Sequence, residues 1–269
     1  MKHAYLIIAH NEFEVLQLLV SALDDVQNDF FIHFDKKVRQ LPQLFCRHSR
    51  LFVLENRVDV RWGSVSQIKC EMLLFEEARQ MGSYDYYHMI SGTHLPLKSV
   101  AELDLFFQDM KGYCVLTGFV KDTEYQETLK IHRINLFLRH YASPRPWLSR
   151  VSQFVWKSCI ALQRVLHVQV NRGESFYKAS NWLSLTEEAV DMLLLRKKAI
   201  LRKYRYTLCG DEFFVPSELM NSPLKDMIKN DDRLLKQEMQ RANPRVYSLS
   251  EWDGLKKTAY LFARKFTSQ

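Results

Sequence analysis

The first 37 residues constrain the fold more than any other feature of the chain. Residues 4–10 are a short apolar, β-prone run; Asn11 follows as a helix cap, and Val15, Leu18, Leu19, Ala22 and Leu23 recur at the spacing of one helical face. Residues 30–34 are a second apolar run, closed by Asp35-Lys36-Lys37. Strand, helix and strand in so short a stretch open a parallel sheet, because adjacent parallel strands need a crossover and a helix usually supplies it. Ligands of such sheets gather beyond the carboxyl ends of the strands. His10 and Asp35 therefore belong to a ligand-facing edge before any chemistry is considered.

The alternation continues downstream. Residues 51–54 predict a third strand, Trp62-Gly63-Ser64 a turn that starts a helix over about 65–81, and residues 84–90 a strand running into Ser91-Gly92-Thr93-His94-Leu95-Pro96. Residues 112–119 suggest another strand, after which the pattern is helical and basic until residues 182–185; a helix follows from 187 to about 203, and Cys209-Gly210-Asp211-Glu212 opens another helical stretch. The expected class is α/β, with a mostly parallel, Rossmann-like central sheet flanked by helices. A length of 269 residues allows one domain or two. With no repeat or low-complexity linker, residues 1–269 are read as one domain carrying a basic helical insertion at about 125–175.

An apolar fraction of 47% excludes a disordered chain. No apolar run approaches the ~20 residues needed to span a bilayer, and the N-terminal run is too short for a signal peptide, so the expected location is cytoplasmic. Five scattered cysteines without CxxC or Cys/His spacing predict free thiols and no zinc site. The net charge of +7 favours anionic partners, and it is unevenly spread: residues 129–173 hold eight Lys or Arg and no Asp or Glu. Within them, residues 147–157 form an amphipathic basic pattern of the kind that lies on anionic membrane surfaces. A basic face packed on its own domain, or one that binds an acidic glycan, fits the same residues. A non-catalytic nucleic-acid-binding module is the competing class; no recognised nucleic-acid motif is present, and no nucleic-acid partner is expected.

If the anionic partner is a nucleotide sugar, transfer needs a base for the attacking hydroxyl, stabilisation of the departing diphosphate and a nucleotide pocket. Many such enzymes recruit a cation through an Asp-x-Asp pair. This chain has none, so Lys or Arg must take that electrostatic role. Arg264 and Lys265, framed by Phe262 and Phe266, are the candidates, against the plain alternative of a solvated basic tail. Glu212 in Gly210-Asp211-Glu212-Phe213-Phe214 is the candidate base: apolar neighbours raise a carboxylate toward the working range, although acids at a helix start are also ordinary dipole compensation. Asp35 suits a nucleotide base or ribose and equally a simple turn. His10 and His94 are assigned to shaping the cleft, and Trp182 suits either a sugar face or the core.

Taken in order, these segments resemble the core-2/I-branching β-1,6-N-acetylglucosaminyltransferase family, which includes the peptide O-xylosyltransferases. The resemblance runs along nearly the whole chain. It rests on Ile8-Ala9-His10, His33-Phe34-Asp35-Lys36-Lys37, Arg61-Trp62-Gly63-Ser64-Val65-Ser66, Ser91-Gly92-Thr93-His94-Leu95-Pro96-Leu97, Lys178-Ala179-Ser180-Asn181-Trp182, Asp211-Glu212 and Phe262-Ala263-Arg264-Lys265-Phe266. It implies a GT-A-type fold and metal-independent, inverting transfer from a UDP-sugar. By the resemblance Glu212 is the base, Lys265 and Arg264 contact the donor diphosphate, and Arg245 is their partner arginine. Ile8 and Asp35 fall near the uracil, while Lys37 and Trp62 border the donor. His94, Trp182 and Asp211 fall on the acceptor side. Two departures are visible: His94 stands where the family usually shows an acid, and Ala179 where it usually shows Gly. The expected protein is a bacterial member moving GlcNAc, or alternatively xylose, to a hydroxyl of a glycan or lipid-linked glycan in surface polysaccharide or glycolipid synthesis. It uses no cofactor or metal, and peripheral contact with the inner face of the membrane is an option.

Overall fold

The computed structural model describes residues 1–121, 123–240 and 243–268. The opening run forms β1 (His3–Ala9), α1 (Phe13–Ala22) and β2 (Asn28–Phe34), followed by β3 (Arg50–Val53). Every residue of β1 and β2 is buried, which is why both read as continuous apolar runs and not as alternating ones. After α2 (Ser66–Met81) comes β4 (Tyr86–Ser91), which pairs in parallel with the free side of β1. The chain has built outward from β1 through β2 to β3 and then returned to the other side of β1, so the strand order reverses between β1 and β4. Loops leaving the carboxyl ends of two such strands diverge and frame a crevice.

The second half completes the sheet and roofs this crevice. In chain order it supplies β5 (Leu95–Pro96), α3 (Val100–Asp109), β6 (Cys114–Leu116), α4 (Glu124–Lys130), α5 (Pro146–Val165), β7 (Leu183–Leu185), α6 (Glu187–Leu195) and α7 (Lys197–Lys203). There follow α8 (Phe214–Met220), β8 (Ile228–Asn230), β9 (Leu235–Lys236), β10 (Met239–Gln240), β11 (Asn243–Pro244), α9 (Trp252–Lys256) and β12 (Phe262–Ala263). The main sheet runs β3-β2-β1-β4-β7-β6-β8, with β7 antiparallel to both neighbours and the other pairings parallel. A small second sheet, β5-β12-β9, hangs the C-terminal segment beside the loop that leaves β4. The fold is α/β with a mostly parallel central sheet flanked by helices.

Three local expectations change. Glu12, not Asn11, occupies the cap position of α1, at φ 52°, and its carboxylate accepts bonds from Ser268 N at 2.8 Å and Thr267 Oγ1 at 3.1 Å. The helix expected over 187–203 breaks at Arg196 into α6 and α7. There Arg196 reaches Glu218 at 2.7 Å, and Lys203 bonds the same buried carboxylate at 2.8 Å. The helix α3 is not among the elements predicted from sequence. Its signal is a capping box, Ser99 with Glu102, in which the Ser99 N–H donates to Glu102 at 2.8 Å.

The segment between α4 and α5 rests on a small apolar cluster of its own, Leu138, Trp156 and Ile160 against Leu208 and Cys209. Among the described residues no helix is long and apolar enough to cross a membrane.

Candidate active site

The C-terminal cations are held over the crevice by backbone pairing. From β12 the chain passes along the loop after β4: Phe266 N donates to Thr93 O at 3.1 Å, Lys265 N to Arg245 O at 3.2 Å, and Tyr247 N to Lys265 O at 2.8 Å. The alternative of a solvated basic tail is thereby excluded for Arg264 and Lys265. The Arg264 guanidinium lies 4.8 Å above the Trp182 ring and donates to Gln237 Oε1 at 2.9 Å, while its Nε is buried without a partner. Burial pushes Arg264 down to about 10. Among the described residues neither Arg264 nor Lys265 has a carboxylate partner. A desolvated cation without a counter-charge is costly, and an anion stabilises it.

The carboxyl ends of β1 and β2 adjoin each other there, Asp35 N donating to Ala9 O at 2.9 Å. Burial first, and then the charge of Lys265, hold His10 below its ordinary value, while Asp35 pulls the other way. His10 thus feels the charges of Lys265, Asp35, Lys37 and Arg264. Ile8, the last residue but one of β1, has little exposure, and Asp35, directly after β2, is buried. Asp35 is a turn former: its carboxylate accepts from Lys37 N at 2.8 Å and Lys37 Nζ at 2.7 Å. Lys37 also pairs with Asp59 at 3.2 Å. Arg245 is the exception on this side. Its backbone touches Lys265, but its guanidinium is bound by Glu238 at 2.9 Å and by Glu251, and lies over Tyr247. It reaches a diphosphate only by exchanging those carboxylates.

The strap of residues 178–182 carries the site from the cations to the carboxylates. Trp182, sandwiched between His94 at 5.1 Å and Arg264, is 9% exposed, and His94 is fully enclosed. Both form the wall behind Arg264 and present little open face to a sugar. Asn181 bonds the buried Glu71, which also accepts from Gln67 at 3.0 Å. Ala179 N donates to the backbone oxygen of Glu212 at 2.9 Å. The Glu212 side chain then lies between two ammonium groups, Lys130 at 3.1 Å and Lys178 at 3.5 Å.

Glycines set the turn that presents Glu212. A Cβ on Gly210 would stand 2.3 Å from Thr207 Oγ1, and Gly63 has φ +72° with Leu208 Cδ1 2.8 Å from where its Cβ would be. Only glycine lets the Trp62-Gly63 turn approach closely enough for Cys209 N to bond Gly63 O at 2.8 Å. Trp62 is left largely exposed at the rim, stacked on Tyr141 at 5.5 Å.

Here the structure corrects the sequence-based argument about the carboxylates. Phe213 and Phe214 turn fully into the core, and Glu212 points toward the lysines and solvent. The enclosed carboxyl is Asp211: its Oδ1 is buried without a partner among the described residues, and burial first, then the charge of Glu212, push it up to about 7. Glu71 behind it, 1% exposed, is raised well above the usual range by burial and by Asp211. Sequence reasoning missed Glu71, Lys130 and the side chain of Lys178. Glu71 had a signal, a carboxylate on the inward stripe of α2 with Ile68, Phe75 and Ala78.

Residues 3–258 match the model of the Core-2/I-Branching enzyme family, so Arg264 and Lys265 lie beyond the matched stretch and owe their place to β12. Among solved structures, mouse xyloside xylosyltransferase 1 in its apo form is similar over 97% of this chain and 96% of that chain, at 10% identity and a TM-score of 0.43. No curated protein matches the chain. With nearly its whole length covered by the family model, the chain belongs to the Core-2/I-branching enzymes and is a glycosyltransferase.

Proposed function

We propose that this glycosyltransferase moves a sugar, GlcNAc in the first instance, from a UDP-sugar to a glycan hydroxyl with inversion and without a metal. Residues 1–269 act as one transferase domain with the segment of about 125–175 inserted in it. The observation that carries the reading is Arg264, a desolvated guanidinium without a carboxylate partner among the described residues, beside Lys265 at the β1/β4 crevice. Fixed cations there stabilise a departing diphosphate, the task that an Asp-x-Asp-bound ion performs in other transferases.

Glu212, whose backbone oxygen accepts from Ala179 in the 178–182 strap, takes the proton of the acceptor hydroxyl. The acceptor's hydroxyl oxygen attacks the anomeric carbon as the bond to UDP breaks, so an α-linked donor gives a β-linked product. Lys130 and Lys178 orient the carboxylate, and the acceptor hydroxyl displaces one of them. Ile8, Asp35, Lys37 and Trp62 border the nucleotide; His94, Trp182 and Asp211 back the acceptor side. Bacterial surface polysaccharide or glycolipid synthesis is the setting we favour, in the cytoplasm.

A thermal-shift panel of UDP-GlcNAc, UDP-xylose and UDP-glucose, with and without EDTA, tests the reading. Stabilisation by UDP-GlcNAc that EDTA leaves unchanged supports it. Preference for UDP-xylose moves the donor to xylose, and a manganese requirement overturns the metal-free electrostatics.

A further inference from the structure

The helix α5 is too long for its packing duty. Its 20 residues span about 30 Å, yet its buried residues are Ser152, Trp156 and Ile160, one narrow face. At about 100° per residue, Trp147, Val151, Phe154, Leu162 and Val165 fall in a strip about 80° wide on the opposite side. These residues are open to solvent: Trp147 is 63% exposed, Phe154 71% and Val165 75%. Arg150, Lys157 and Arg164, seven residues apart, form a row along one flank of that strip and have no ion-pair partner among the described residues. The surrounding residues 129–173 carry no acid at all.

We infer that the outward face of α5 docks on the surface of a bilayer containing anionic lipid. The charge pattern selects this occupant. A second copy of the chain offers no carboxylates from this region to meet the cations, and like charges would oppose each other. A soluble polyanion satisfies the cations and leaves the apolar strip in water. A lipid surface takes both, the strip in the headgroup boundary and the cations against anionic headgroups.

The docking bears on the site because the buried face of α5 rests on Leu208 and Cys209, the residues that lead into Gly210, Asp211 and Glu212. A docked helix holds that turn about one helix diameter, roughly 10 Å, from the lipid surface. The acceptor is then a sugar carried on a lipid; this last step rests on the transferase reading above.

Co-sedimentation of the full chain with phosphatidylglycerol/phosphatidylcholine vesicles, against pure phosphatidylcholine, tests the surface. Wild type binds only the anionic vesicles, and the triple variant Arg150→Glu, Lys157→Glu, Arg164→Glu loses about a hundredfold or more, since each cation near the surface contributes about fivefold. The double variant Trp147→Ser, Phe154→Ser keeps every charge, loses vesicle binding and still binds heparin as wild type does. Both variants retain the wild-type melting transition and its shift by UDP. Wild type left in the supernatant with anionic vesicles overturns the proposal. So does a Trp147→Ser, Phe154→Ser double variant that sediments like wild type, or a wild-type dimer that Phe154→Ser disperses in sedimentation velocity. Vesicle binding without any shift by UDP leaves the docking surface standing and removes the proposed UDP-sugar donor instead.

Discussion

Replacing Glu212 by Gln separates the roles of the two ends of the site. The carboxylate makes two part-exposed ion pairs, at 3.1 Å to Lys130 and 3.5 Å to Lys178. Pairs of that exposure contribute about 0–1 kcal/mol each, and the Gln carbonyl retains one hydrogen bond, so the variant loses at most about 2 kcal/mol of stability. Phe213 and Phe214, which anchor the turn in the core, are untouched. UDP affinity stays within about twofold, because Arg264 and Lys265 are held by β12 at the other end of the 178–182 strap. Turnover falls by about two to four orders of magnitude, the scale of general-base catalysis, or about 3–5 kcal/mol on the barrier. The assay is UDP release from UDP-GlcNAc, with water as the acceptor where no sugar acceptor is supplied, alongside calorimetry of UDP. A rate within tenfold of wild type at unchanged UDP affinity removes Glu212 from the base role. A parallel loss of UDP affinity moves it into the donor pocket.

Other consequences are equally open to measurement. Asp211 binds its proton more tightly folded than unfolded, so its stabilising contribution is complete below about 3.8 and is lost as pH rises through about 7. The difference between those values sets a ceiling of about 4 kcal/mol. Urea midpoints at pH 5 and pH 8 converge for Asp211→Asn relative to wild type, whereas parallel pH dependences contradict the buried carboxyl. Gly63→Ala forces a side chain into φ +72° and against Leu208, costing about 1–2 kcal/mol, read as a lower melting temperature; an unchanged melt means the turn adapts freely.

How far the fold was legible follows from where its information lies. The strands β1 and β2 announce themselves because both faces are buried, so burial and apolarity coincide residue by residue. The two-residue strands β5, β9 and β12 exist only through pairings between residues 95–96, 235–236 and 262–263, and no local pattern contains that information. The same gap hid the fate of Arg264 and Lys265, which local sequence alone leaves as a basic tail. At Glu212 the residue was legible and its environment was not. A short helical turn over Gly210–Glu212 separates neighbours in sequence onto opposite sides, sending Phe213 inward and Glu212 toward Lys130. The long helix over 187–203 is reasonable by periodicity, and its break answers to the distant Glu218.

The central claim is that protein cations at the β1/β4 crevice neutralise the donor diphosphate. Titration calorimetry of UDP in EDTA, on wild type and on Lys265→Met, tests it most directly. The account predicts saturable binding that EDTA does not weaken, with a Kd raised about tenfold or more by loss of one charge-assisted contact of roughly 1.5–3 kcal/mol. Binding that appears only with added manganese, or a Lys265→Met variant with wild-type affinity, contradicts it.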